Sequence, residues 1–374
     1  MIRDAFGLIY AGEQVMQMRE LVEFRAVGAV PIGGRYRVID FPLSNFMNSG
    51  IRTVGIIANR NYNSLMDHLS SGKAWDLSRK DDGLFFLTPF ANKETGAYKN
   101  IIEALRGSMD FIRRAKAEYC ILTNSHMIYN STYDDMMRFH VDSGADITML
   151  YNKASLESYR GERFKDVRLK IDKTGRITDL VTAPESTNLD TAGMETLILR
   201  KDILIYLTEE CAARGETSFA HDFIRGNLDR LKMMGFEYTG YVGRMHSVAA
   251  YYRANMDLID PHLQKTMFQG QNRIYTKVKD EVPAKYIGDS RVKNSLVANG
   301  CIIEGEVENS MLFRGAYIGK GVTIKNCILL PNTEVNDNSE LEYVILDKNV
   351  GVRSRTRLIG NEEFPVVIRK GARV

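Results

Sequence analysis

Apolar residues return every six positions through the C-terminal part of this chain: Leu312, Ile318, Ile324 and Leu330, then Val335 and Leu341, then Leu346, Val352 and Leu358. Six is neither the period of an α-helix nor that of an ordinary strand. It suits short strands joined by tight corners, one apolar side chain per strand turned inward. Ile318-Gly319-Lys320-Gly321-Val322-Thr323 is one complete unit of this repeat. The pattern predicts a left-handed parallel β-helix over residues 286–374, each coil having three short faces. An irregular antiparallel sandwich is the alternative reading of the same run.

The preceding residues follow a different rhythm. Short apolar runs at Phe6–Tyr10, Thr53–Ala58, Tyr119–Thr123, Asp146–Tyr151 and Met194–Leu199 alternate with helical patterns near Asn63–Ser70, Ile101–Arg114, Thr132–Ser143 and Lys201–Ala213. That alternation predicts an α/β domain over residues 1–245, a Rossmann-like, mainly parallel sheet covered by helices. Ligands of such sheets sit at the carboxyl ends of the strands. Residues 246–285 form a linker, helical over Ala249–Asp260 and then a connector from Pro261 to Pro283.

Composition narrows the function classes. A net charge of +3 on 374 residues gives no basis for binding nucleic acid or a membrane surface. Cys120, Cys211, Cys301 and Cys327 lie far apart with no CxxC spacing, which predicts reduced thiols rather than disulfides or a zinc site. The N-terminus carries Arg3 and Asp4 and no apolar core of a signal peptide, so the expected location is the cytoplasm.

The first strand leads into Ala11-Gly12-Glu13-Gln14-Val15-Met16-Gln17-Met18, and then into Pro31-Ile32-Gly33-Gly34-Arg35-Tyr36-Arg37-Val38-Ile39-Asp40-Phe41-Pro42-Leu43-Ser44-Asn45. This second stretch closely resembles the sugar-phosphate nucleotidyltransferases, in particular the glucose-1-phosphate adenylyltransferases (ADP-glucose pyrophosphorylases). Further matching stretches are Gly72-Lys73-Ala74-Trp75-Asp76-Leu77, His140 with Gly144 to Thr148, His221-Asp222-Phe223, Ala250 to Asn255, and Asn294 to Gly305. The resemblance covers essentially the whole chain and implies the same two-domain layout.

It also shows what is missing. The family's first strand is followed by a glycine-rich loop and an arginine, whose backbone N–H groups and charge grip a triphosphate. Here Glu13 and Val15 fall where the family has glycines and Gln17 where it has arginine; Gly12 survives. A carboxylate at Glu13 repels a triphosphate, and the branched Val15 stiffens the loop. The resemblance aligns Ser125 with the first metal-binding aspartate and Arg244 with the second. It aligns Ala183 and Val27 with two phosphate-binding lysines, and Asn100-Ile101-Ile102-Glu103 with the base-contacting stretch. Magnesium-assisted transfer needs those carboxylates and cations. No metal is therefore expected on this chain, and the guanidinium of Arg244 either fills the vacated metal site or turns to solvent. The retained His126, Arg25 and Asp222 are expected to act as hydrogen-bonding struts, and Trp75 as a packed loop anchor.

A basic set remains as a candidate site for an anionic effector: Arg35 and Arg37 after the glycine turn, and Arg353, Arg355, Arg357 and Arg369 near the C-terminus. A solvated basic edge is the alternative. The resemblance implies a non-catalytic, regulatory subunit that assembles with a catalytic glucose-1-phosphate adenylyltransferase in a hetero-tetramer. The partner would make ADP-glucose for glycogen and would carry the Mg²⁺. The competing expectation is an active transferase with unorthodox metal ligands drawn from Asp222, Glu103 and Glu13. An acyltransferase on the β-helix is disfavoured, because no histidine follows His262.

Overall fold

The structure, a computed structural model, describes all residues except 1, 3, 13–14, 90–96, 154–166 and 183–188. The chain divides into two compact units that do not follow the linear division at 245 and 285. The first comprises Met1–Glu13, Phe41–Tyr62 and Leu69–Val242; the second comprises Gln14–Asp40, Asn63–His68 and Gly243–Val374.

Among the described residues, nine strands form the sheet of the first unit: β1 Ala5–Ala11, β2 Thr53–Ala58, β3 Gly83–Leu87, β4 Tyr119–Asn124, β5 Ile147–Lys153, β6 Arg168–Ile171, β7 Ile177–Val181, β8 Thr191–Arg200 and β9 Met233–Glu237. Their order is β7-β6-β8-β4-β1-β2-β3, with β5 also paired to β8 and β9 to β5. The β4-β1-β2-β3 half is parallel, as the alternation predicts. β1 and β2 are buried along nearly their whole length, which explains their continuous apolar runs. Gly7 has a packing reason: a Cβ there would lie 2.6 Å from the Phe46 ring. Helix Lys201–Ala213 lays Leu204, Leu207 and Cys211 into the same core as Leu122 and Leu199. Two boundaries differ from expectation. The pattern over Ile101–Arg114 is two helices, Ile101–Gly107 and Met109–Arg114, parted at Ser108, whose hydroxyl turns back to the Ala104 carbonyl at 2.8 Å. Strand β8 runs longer than its apolar run and is antiparallel to β4. It shifts register between Gly193 and Leu197, where Glu195 takes a left-handed backbone with φ of 50°.

The second unit carries three five-stranded parallel sheets, the faces of the left-handed β-helix. Stacked inward positions are Leu312, Leu329 and Leu346 on one face, Ile318, Val335 and Val352 on the next, and Ile324, Leu341 and Leu358 on the third. Each step advances seventeen residues, not eighteen. A strict sixfold count therefore slips by one on each of these coils, and the core position is Leu329 where the period pointed to Leu330. The corners explain the shorter coil. Positions 309, 326 and 343, positions 315, 332 and 349, and positions 321, 338 and 355 all take positive φ, mostly at Asn or Gly. Asparagines also hydrogen-bond along one corner, from Asn294 Nδ2 to Asn309 Oδ1 at 2.9 Å and from Asn309 Nδ2 to Asn326 Oδ1 at 2.6 Å.

One outer face of this prism is apolar and fully buried at Met311, Ile328 and Ile345. Helix Val248–Asp257 reaches the adjoining corner, where the Tyr252 hydroxyl donates to the Asn326 carbonyl at 2.9 Å. Arg25, early in the chain, grips Asp347 with Nη2 at 2.9 and 2.7 Å from its two oxygens. Among the described residues, no helix is long and apolar enough to cross a membrane.

Candidate functional site

At the end of β4 the first unit is polar but carries little charge. Ser125 is fully buried. Asn124 Nδ2 donates to the Met194 carbonyl at 3.0 Å, and its Oδ1 accepts the His126 amide at 3.1 Å. His126 Nε2 lies 3.8 Å from the carboxylate of Glu195. Behind them, the buried hydroxyls of Tyr133, Tyr129, Thr196 and Thr123 connect at 2.8, 3.0 and 2.8 Å. Burial raises the pKa of both tyrosines, so this chain of hydroxyls stays neutral.

These residues do not fit a magnesium ion. Ser125 offers a neutral hydroxyl where a hard cation needs anionic oxygen. Among the described residues, no group of three or more His, Cys, Asp or Glu side chains is placed to hold a metal. The two described carboxylates that could have substituted are committed elsewhere. Asp222 Oδ2 accepts the Thr217 and Ser218 amides at 3.0 and 2.8 Å, which makes it the strut expected of it. Glu103 Oε2 accepts the Lys99 amide at 2.9 Å, while its own amide bonds the Asn100 cap at 2.9 Å. Glu13 and Ala183 lie outside the described residues. Gly12 is packed tightly, since a Cβ would meet the Tyr10 ring at 2.7 Å. In the second unit, Val15 precedes a 3₁₀ segment, Met16–Val22, that breaks at Arg19 with φ of 46°, and Gln17 is exposed there. Such a segment does not align its N–H groups as an α-helix N-terminus does. Arg244 is buried within a two-residue strand rather than turned to solvent. Trp75 is buried, as an anchor should be.

Cations converge instead within the second unit. A hairpin, Pro31–Ile32 with Tyr36–Arg37, turns at Gly33 and Gly34, whose φ of 59° and 79° favour residues without a Cβ. The Tyr251 hydroxyl donates to the Pro31 carbonyl at 2.7 Å, and Tyr36 stacks on Phe268 with ring centroids 4.8 Å apart. Arg37 is held by Asp40, whose Oδ2 accepts its amide at 2.9 Å, and by Ser64, whose Oγ lies 3.1 Å from Nη1. Asp40 Oδ1 in turn pairs with His68 Nε2 at 2.5 Å. Arg35, Lys277, Lys279 and Arg314 line a cavity of about 450 Å³ together with Gly33, Asp280 and Glu281.

The electrostatics of this group are those of crowded cations. Burial lowers the pKa of Arg37 to about 10, opposed by Asp40 and aided by Arg25 and Arg314. Burial and the neighbouring Arg314, Arg37 and Lys277 also lower Lys279. Lys348 falls furthest, to about 7, through burial and the charges of Arg37 and Arg25. Arg25 is 3 % exposed, and its Nη1 is buried without a hydrogen-bond partner. An anion with several oxygens would satisfy these groups.

Of the six arginines expected to form an anion site, the structure puts Arg35 and Arg37 in this neighbourhood. Arg357 is ion-paired to Glu340 at 2.9 Å on an outer face of the β-helix, and Arg355 occupies a left-handed corner. Arg353 and Arg369 show no tie to the hairpin: the Arg353 amide bonds the Val374 carbonyl, and Arg369 is exposed. Sequence reasoning missed Lys277, Lys279, Arg314 and Lys348. Only the Lys277-Val278-Lys279 alternation beside the repeats was a signal.

Residues 6–260 match the family profile described as nucleotidyl transferase, and residues 282–364 match the GlmU-like, C-terminal hexapeptide profile. The chain is similar to the glycogen biosynthesis protein GlgD of Bacillus subtilis (strain 168), with 37% identity over 95% of this chain and 92% of that protein. It is 35% identical to the GlgD of Geobacillus stearothermophilus over 98% of this chain and 96% of that protein. A glucose-1-phosphate adenylyltransferase of Clostridium perfringens (strain SM101 / Type A) is 32% identical over 89% of this chain and 86% of its own.

Proposed function

Because this chain belongs to the glucose-1-phosphate adenylyltransferase family of nucleotidyltransferases, we propose that it is a regulatory subunit without transferase activity of its own. The single observation that carries this reading is the end of β4. Ser125 is buried and neutral there, and the Asn124 side chain beside it is committed to the Met194 carbonyl and the His126 amide rather than arranged to take a cation. Losing one transition-state electrostatic contact typically costs about 100- to 1000-fold in rate. Here the metal carboxylates and the loop arginine have changed together. Similarity to two proteins named for glycogen biosynthesis points the same way as to pathway.

In this reading the chain assembles with a catalytic glucose-1-phosphate adenylyltransferase, which supplies Mg²⁺ and makes ADP-glucose. An anionic metabolite bound among Arg25, Arg35, Arg37, Lys279 and Lys348 shifts the partner's activity. Such coupling is worth about 1–3 kcal/mol in typical systems. The reading is tested by ADP-glucose formation from ATP and glucose 1-phosphate with Mg²⁺. The chain alone is expected to give no turnover, and its mixture with a catalytic subunit an altered rate or effector response. Robust turnover by the chain alone would overturn it.

A further inference from the structure

The left-handed prism is closed at one end and open at the other. Where it closes, Val374 packs against the apolar core, and its carbonyl accepts the Arg353 amide at 2.7 Å. The Gly351 amide also reaches the Ala372 carbonyl at 3.0 Å. The open end is the first coil. Strands Lys285–Tyr286, Arg291–Lys293 and Leu296–Val297 are outermost in their three sheets, so among the described residues one edge of each pairs with no strand. Tyr286, Val292 and Val297 head the inward columns that continue in Ile303, Val307 and Leu312. Those second-coil residues are buried, but Tyr286 is 54 % exposed, and Val292 and Val297 are only half-buried. Val282, which leads into the first strand, is exposed too. A stack of repeats needs a polar cap where its core would otherwise meet water. This end has none, and its free strand edges are a template for another chain.

Charge decides which chain. Down one outer face the ladder runs Lys293, Glu308, Lys325, Glu342, changing sign at each coil. Arg291 stands over Glu306 beside it. Lys293 Nζ lies 2.9 Å from Glu308, and Arg291 Nη1 lies 3.8 Å from Glu306. The rung that continues this alternation beyond the first coil is acidic. A second copy does not supply it. Two first coils meeting about a two-fold axis through Val292 would set Arg291 opposite the other copy's Lys293. Head-to-tail stacking would continue the column that runs from Arg291 down to Arg357, and so set arginine on arginine. Like charges directly opposite each other on paired strands are unfavourable.

We propose that the first coil is a docking surface for a different chain, one whose edge strand reads acidic–apolar–acidic. The proposal rests on the regulatory-subunit reading above and assigns the contact with the catalytic partner to this coil. The partner's apolar residue lies over Val292 and its two carboxylates over Arg291 and Lys293, as Glu306-Val307-Glu308 does from the other side. Tyr286, Val297 and Val282 supply apolar area, and the charges supply the choice of partner.

Sedimentation velocity of the full chain, alone and mixed with the catalytic subunit, tests this. The Arg291→Glu, Lys293→Glu double variant should weaken the mixed complex by on the order of 100-fold, and so should Tyr286→Asp. Arg357→Glu breaks an equivalent pair, with Glu340, on the same face at the far end of the prism. It should leave the complex intact, and equal weakening there would make the effect structural and overturn the docking surface. A mixed complex as tight as wild type in either first-coil variant also overturns it, while an altered rate of ADP-glucose formation in the mixture keeps the regulatory reading. Self-association of the chain alone that is lost in the double variant gives the coil to a second copy and overturns the acidic partner. Absence of any mixed complex removes the regulatory reading, and the proposal with it.

Discussion

Two buried polar clusters, one in each unit, are built in opposite ways. Around the end of β4, the first unit encloses neutral partners: Asn124, Ser125, and the hydroxyls of Thr123, Tyr129, Tyr133 and Thr196. The second unit encloses charge: Arg25 on Asp347, Asp40 with Arg37 and His68, and Lys348 beside them. A neutral network costs little to bury once each hydroxyl has a partner, and it leaves little net charge to attract a phosphate or a metal. A cluster with excess cations is costly to bury, so it is sensitive to whatever neutralises it. The end of β4 is closed, neutral packing, while the stretch after the glycine turn has kept its charge.

Four measurements would break or sharpen this contrast. The largest effect should come from Arg25→Met, which strands Asp347 as a buried charge. Guanidinium unfolding should show a loss of about 3–5 kcal/mol, most of it recovered in the Arg25→Met, Asp347→Leu double variant. A loss below 1 kcal/mol would mean that the pair is not buried as described.

Next in size is an acid effect in the first unit. His140 is buried against Thr148 Oγ1 at 2.8 Å, and burial lowers its pKa to about 4. Its neutral form is favoured by folding, so the contribution is complete above about pH 6.5 and is lost as pH falls from there towards 4. The expected loss is on the order of 2–3 kcal/mol. The chain's one tryptophan, Trp75, lies in this unit, so its emission follows the unfolding. His140→Gln should flatten the profile.

Tyr133→Phe removes one hydroxyl from the neutral network and should cost about 1 kcal/mol, since Tyr129 keeps Thr196 as a partner. A cost matching that of Arg25→Met would erase the distinction between the two interiors. The smallest effect lies in the β-helix. Arg355 holds φ of 64° at the corner where the preceding coils place Gly321 and Asn338. Arg355→Asn should therefore stabilise by roughly 0.5–1 kcal/mol, visible as a higher unfolding midpoint in the same denaturant series.

The sequence was most legible where one local rule repeats. The sixfold period identified the β-helix because each strand turns one apolar side chain inward, whatever the rest of the chain does. It failed at Leu330 because corner geometry, not hydrophobicity, sets the coils around it at seventeen residues. The sheet was equally readable in its parallel half, where β1, β2 and β4 are continuous apolar runs. Strand β8 was only partly readable, because Glu195 interrupts its pattern with a backbone conformation that no side-chain periodicity reports.

The candidate site divides along the same line. The expectation of lost ligands at Glu13, Gln17, Ser125 and Arg244 is a statement about chemical groups, and it rests on side-chain identity: a hydroxyl is not a hard anionic ligand wherever it lies. That Arg25, Arg37, Lys279 and Lys348 share one neighbourhood is a statement about distance. Arg25 and Asp347 are 322 positions apart in the chain. Only the folding of the early segment and the hairpin together with the β-helix brings their charges within reach of one another, because Coulomb energies depend on separation in space and on burial, and neither is written in residue order.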